Sequence, residues 1–134
     1  MTKAVIDTNV FLSAIFWGGK PLEVVRLAFA HKITGVISLE ILEELEGKLI
    51  KKFYYPKDQT AKYIELVLTE FLLVEPTQKV RVVEDPKDDK IIEAALEANA
   101  DFIVTGDKDL LRIRQYKGIQ IVKPHGFLAK IIIH

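Results

Sequence analysis

The sequence predicts an α/β domain, a three-layer α/β/α sandwich around a five-stranded parallel sheet. Short apolar runs, several of them β-branched, alternate with longer segments whose apolar residues recur at helical spacing. That alternation marks strands joined by right-handed crossover helices. The strand-like runs are apolar at consecutive positions rather than at every second one, as strands covered on both faces must be. With 134 residues and no repeat, linker or low-complexity segment, one domain over residues 1–134 is enough to bury such a core.

Each element follows from its own residues. Residues 3–6 form the first strand and 9–17 a short helix. Gly18-Gly19-Lys20-Pro21 is a turn, and its proline, suited to a first helical turn, opens a second helix through residue 30. The run 34–37 is the second strand; Ser38 then caps a third helix whose Ile41, Leu42, Leu45 and Leu49 share one face. Tyr54-Tyr55-Pro56 breaks the pattern. Residues 57–73 predict a fourth helix with Tyr63, Leu66, Val67 and Phe71 inward, closed by Pro76. Val-Arg-Val-Val at 80–83 predicts the third strand, and 88–98 a helix with Ile91, Ile92, Ala95 and Leu96 inward. Residues 102–105 are the fourth strand, 108–113 a short helix and 119–122 the fifth strand. The tail over 127–133 is apolar enough to dock on the sheet or to help form a dimer.

Composition narrows the function. Lysine plus arginine equals aspartate plus glutamate at nineteen each, so a field that attracts nucleic acid has to be local. No cysteine is present, which excludes disulfides, thiolate zinc sites and thiol nucleophiles and fits a reducing, cytoplasmic setting. Asp7 interrupts the N-terminal apolar stretch, and no uncharged run approaches the roughly 18 residues of a membrane span, so a soluble protein is expected.

Acids stand where strands end. Asp7 follows the first strand and Asp107 the fourth; Asp89 opens the helix between the third and fourth strands, and Glu44 lies in the helix after the second. In a parallel sheet these positions share the edge at which ligands bind. Two carboxylates about 5 Å apart repel by roughly 3 kcal/mol at an effective dielectric near 20, and a hard divalent cation, Mg²⁺ or Mn²⁺, is the natural remedy for an all-oxygen set. Each acid also has a plainer reading. Asp7, Thr8 or Asn9 can cap the first helix, Asp85 or Asp88 the fifth, and Asp107 the sixth. Glu44 sits among Glu40, Glu43 and Glu46, and spacing alone does not select it.

Four motifs in order carry a resemblance. Asp7-Thr8-Asn9 after the first strand, Glu44-Leu45, Asp85-Pro86-Lys87-Asp88-Asp89 opening a helix that ends Ala98-Asn99-Ala100-Asp101, and Val104-Thr105-Gly106-Asp107-Lys108-Asp109-Leu110-Leu111 together resemble the PIN-domain family over essentially the whole chain. The likeness is strongest to the small prokaryotic PIN proteins that serve as toxins of toxin–antitoxin pairs. It implies a Mg²⁺- or Mn²⁺-dependent ribonuclease leaving a 5′ phosphate and a 3′ hydroxyl, a homodimer, and a small antitoxin partner. Carried over by position, the acidic site falls on Asp7, Glu44, Asp89 and Asp107, with Asp109 as an additional metal ligand and Asn9 and Thr105 in support. Asp89 is preferred to Asp88 because it precedes the run 91–96 at the family's spacing, while Asp88 suits the cap.

RNA phosphates need cations on the protein. Lys108, Arg112, Arg114 and Lys117 follow the last acid, and Lys48, Lys51 and Lys52 follow Glu44. Trp17 and Tyr54-Tyr55 either stack bases or pack internally, and His31, His125 and His134 are scattered as surface histidines are. Two other folds fit poorly. A haloacid-dehalogenase-like phosphatase requires an acid where Asn9 stands, and a response-regulator receiver requires an acidic pair at Asp7-Thr8. The alternative in a different class is a PIN fold that binds a protein partner with little nuclease activity.

Overall fold

The computed structural model describes residues 1–83 and 85–131. Its sheet is built outward from the first strand. β1 (Lys3–Ile6) leads through α1 (Thr8–Phe16) and α2 (Gly19–Phe29) to β2 (Thr34–Ser38), and α3 (Leu39–Gly47) with a wider π-helical turn at Lys48–Lys52 leads through α4 (Lys57–Glu70) to β3 (Leu72–Val74). The chain then returns by α5 (Pro86–Ala98) to β4 (Phe102–Val104), α6 (Lys108–Ile113), the hairpin β5 (Gln115–Tyr116) and β6 (Ile119–Val122), and α7 (Pro124–Lys130).

Strand order is β3-β2-β1-β4-β6-β5. Neighbours from β3 to β6 run parallel, and β5 alone is antiparallel, on β6. Strand order therefore reverses direction at β1, with β2 on one side and β4 on the other, and the tips of β1 and β4 flank the switch point. Ala4, Val5 and Ile6 of β1, Val36 and Ile37 of β2 and Phe102, Ile103 and Val104 of β4 are buried regardless of parity. Helices therefore cover both faces, as the consecutive apolar runs require.

The sheet has six strands where five parallel ones are expected, because Gln115–Tyr116 folds back on β6 as an antiparallel edge, and two further elements differ from the sequence reading. Residues 80–83 are not a strand, and residues 57–73 are not one helix. The helix stops at Glu70, because Phe71 turns to extended backbone (φ −99°, ψ 155°) and packs its ring over Gly35. A Cβ at Gly35 lies 2.5 Å from that ring and 2.9 Å from the Ala28 Cβ, so glycine is what lets the layers close. Leu72–Val74 then pairs with β2 as the edge strand. Leu66, expected inward, is 46% exposed; the buried stripe of α4 runs through Thr60 and Val67 instead, with Tyr63 partly buried against it.

The segment 77–83 is held by a helix rather than by the sheet. Asp89, Glu93 and Glu97 repeat at four-residue intervals on α5 and accept its amides: Thr77 to Glu97 at 3.0 Å, Val80 to Glu93 at 3.0 Å, and Val82 and Val83 to Asp89 at 2.8 and 3.1 Å. The tail docks as expected as far as it is described. Phe127 of α7 is fully buried edge-on to Phe102, with ring centroids 5.1 Å apart, while residues 132–134 lie outside the described residues. Among the described residues no helix is long and apolar enough to cross a membrane.

Candidate active site

Asp7 occupies the position before α1 that an N-cap fills, yet its side chain makes no capping hydrogen bond. It turns toward β4. Thr105 donates its hydroxyl to Asp7 Oδ2 at 2.7 Å and accepts the Asp107 amide at 3.0 Å, so one threonine ties the two strand tips together. Backbone pairing continues past the strands, from the Asp7 amide to the Val104 carbonyl and from the Thr105 amide to the Val122 carbonyl. These bonds hold Asp7 and Asp107 over the switch point.

Asp107 does cap α6, accepting the Asp109 amide at 2.7 Å. Capping and clustering are compatible, because its carboxylate also lies close to Asp88 and Asp109, with one oxygen of each of the three within 4.8 Å of the others. Asp88 carries the electrostatic cost. Burial, a hydrogen bond with Asp107 and the charges of Asp107, Asp7 and Asp85 push its carboxyl up to about 7. Asp7, 5% exposed, is also raised by burial; the bond from Thr105 and the nearby Thr8 amide pull the other way, and Glu44 and Asp107 push it further up.

Glu44 completes the set on the side of α3. Burial acts to raise its carboxyl, but the Thr8 hydroxyl, Lys90 and Lys48 outweigh burial and hold it below the ordinary value. That hydroxyl is fully buried and among the described residues has no partner at hydrogen-bonding geometry, so its help to Glu44 is electrostatic rather than a formed bond. Lys90 is a direct partner at 3.1 Å.

The sequence reading is thus met unevenly. Asp7, Glu44 and Asp107 come together with Thr105 beneath them, and Asp109 stands at the exposed margin, paired with Arg112 at 3.3 Å. Asp89 is turned the other way, its Oδ1 accepting the Val82 and Val83 amides. Asp88 is the α5 acid that faces the cluster. Asn9 is exposed and accepts from Lys48 at 3.3 Å rather than contacting Asp7. Lys48, Lys51, Lys52 and Lys90 line a groove of about 550 Å³ beside Glu44, while Lys108 and Arg114 are exposed. Trp17 and Tyr54 are exposed, and Tyr55 packs edge-on against Phe16.

The signal that separates Asp88 from Asp89 was in the helical phase. Asp88 precedes Ile91, Ile92 and Ala95 by three, four and seven residues and so continues the buried stripe out over the sheet edge, whereas Asp89 heads the stripe of Glu93 and Glu97.

The PIN-domain sequence profile matches residues 3–109. The chain belongs to the PIN-domain family. This PIN domain is 34% identical over 117 residues to an uncharacterized protein of Methanocaldococcus jannaschii, across 84% of this chain and 75% of that protein. Its fold is similar to that of VapBC2 from Rickettsia felis bound to a DNA fragment from their promoter, with a TM-score of 0.62 and 16% identity over 90% of this chain and 97% of that one. It is similar too to VapBC-1 from nontypeable Haemophilus influenzae (TM-score 0.59, 18% identity, 92% and 99% covered) and to the PIN domain endonuclease Utp24 (TM-score 0.55, 21%, 89% and 82%). At such identities the likeness to these structures is one of fold. The PIN domain is a nuclease fold, and an acidic cluster lies at the tips of its central strands.

Proposed function

We propose that this PIN domain is a divalent-metal-dependent ribonuclease, acting as the toxin of a toxin–antitoxin pair in the cytoplasm. The observation that carries the reading is Asp7. A buried carboxylate declines the cap it is placed to make, is aimed by Thr105, and stands beside three more acids. Oxygen donors alone, with Asp88, Asp107 and Asp109 crowded within 4.8 Å, fit Mg²⁺ or Mn²⁺. Asp7, Asp88 and Asp107 would hold the ion, with Glu44 and Asp109 at either side. When bound, such an ion neutralises the carboxylates, polarises a phosphate and lowers the pKa of a water for in-line displacement. The chain's own part is to fix the geometry. Thr105 orients Asp7, the cap bond fixes Asp107, and the lysines along the groove beside Glu44 receive the phosphates of a single strand without reading its sequence. Fold likeness to VapBC complexes supports an antitoxin partner, and a homodimer belongs to the same proposal.

The test is a calorimetric Mn²⁺ titration and an RNA cleavage assay on wild type, Asp7→Asn and Asp107→Asn, with folding checked by circular dichroism. Saturable binding and cleavage by the wild type, both lost in folded variants, support the reading. A folded wild type that neither binds nor cleaves points instead to a protein-binding module.

A further inference from the structure

Glu44 lies close enough to raise the Asp7 carboxyl, yet it does not stand open to an incoming ion. The Lys90 ammonium is 3.1 Å from its Oε2, and the two side chains are only 14% and 16% exposed. Lys48, bonded to Asn9 at 3.3 Å, adds a second positive charge nearby. The opposite corner is different. Asp88, Asp107 and Asp109 crowd one another, and among the described residues only Asp109 of the three forms an ion pair, with the exposed Arg112. The acids are therefore divided between a corner short of positive charge and a glutamate already neutralised by a lysine on the helix that supplies Asp88.

We propose that Lys90 is an internal counter-ion that holds Glu44 in the ion-free protein and competes with a divalent cation for that carboxylate. The inference rests on the metal-site reading above. An ammonium and a divalent ion sharing one carboxylate at a few ångströms repel strongly even at an effective dielectric near 20, so each weakens the hold of the other. Lys90 has somewhere to go. Its flexible four-carbon stem lines both the groove beside α3 and a second groove under the segment 77–83, so the displaced ammonium finds open space on either side. Lys90 thereby acts as a positioning residue, keeping Glu44 in place until the ion arrives. The plainer reading is a structural clamp between α3 and α5 in which Glu44 is no ligand.

A double-mutant cycle separates the two, with Mn²⁺ titrated calorimetrically into the full chain as wild type, Lys90→Met, Glu44→Gln and the double variant. Competition requires Lys90→Met to tighten Mn²⁺ on the order of fivefold, and that gain to vanish when Glu44 is already glutamine. An equal gain in both backgrounds reduces Lys90 to a field effect and overturns the proposal, as does no gain or a weakening. If Lys90→Met fails to fold by circular dichroism, Lys90→Gln takes its place in the same cycle. Absence of Mn²⁺ binding in folded wild type overturns the metal-site reading and this one together; tight binding with an additive cycle overturns this one alone.

Discussion

Asp88 and Asp89 are adjacent, identical in chemistry and about 100° apart around α5, and that rotation gives them different partners. Asp88 meets Asp7 and Asp107; Asp89 meets two backbone amides. Asp88→Asn should abolish Mn²⁺ binding in a calorimetric titration while the fold survives. Asp89→Ala should leave binding measurable but cost about 2 kcal/mol in denaturant unfolding, because the Val82 and Val83 amides lose a charged acceptor. Reversal of that pattern would return the site to Asp89. Most of the candidate acid cluster was legible in the sequence, since Asp7 and Asp107 follow recognisable strands and Thr105 precedes Asp107 by two residues. The α5 acid was not. Either acid can open the helix before 91–96, and only its phase separates them, so that one residue divides an acid of the cluster from a backbone anchor.

Elements were read well where burial and propensity agree. The central strands β1, β2 and β4 and helices α1, α2 and α5 lie within a residue or two of their predicted bounds. Around β3 the two signals part. Leu72 and Leu73 continue the apolar character of α4 and read as its last turn, yet the close approach of Phe71 to Gly35 ends the helix and hands them to the sheet. Val80, Val82 and Val83 have high β propensity, but carboxylates of α5 take their amides before any strand can. The sheet thus keeps five parallel strands while exchanging one for another and adding β5. Gly35 is where the two layers meet most closely. Gly35→Ala should destabilise by about 2–3 kcal/mol in thermal or urea unfolding, since the ring of a largely buried Phe71 must shift. A neutral result would mean that Phe71 does not close on β2.

Across the whole molecule charge cancels, nineteen against nineteen, but locally it does not, and stability should register the difference. Asp88 rises from an ordinary 3.8 to about 7 on folding, so the folded state binds that proton more tightly than the unfolded chain does. Without divalent ions its contribution to stability therefore falls as pH rises from about 4 to 7 and levels off above. In chelator at pH 8, Asp88→Asn should melt about 5 °C higher than wild type, with the gap closing toward pH 5; parallel curves across that range would remove Asp88 from the crowded corner. Thr105 has a different consequence, one of timing. Its hydroxyl reaches Asp7 across 98 positions of sequence, and β1 pairs directly with β4. At a translation rate of about 5–20 residues per second, some 5–20 s separate synthesis of the two partners. The first acid waits unpaired on the nascent chain until β4 emerges beside it, and a ribosome still in mid-message carries Asp7 without the threonine that aims it.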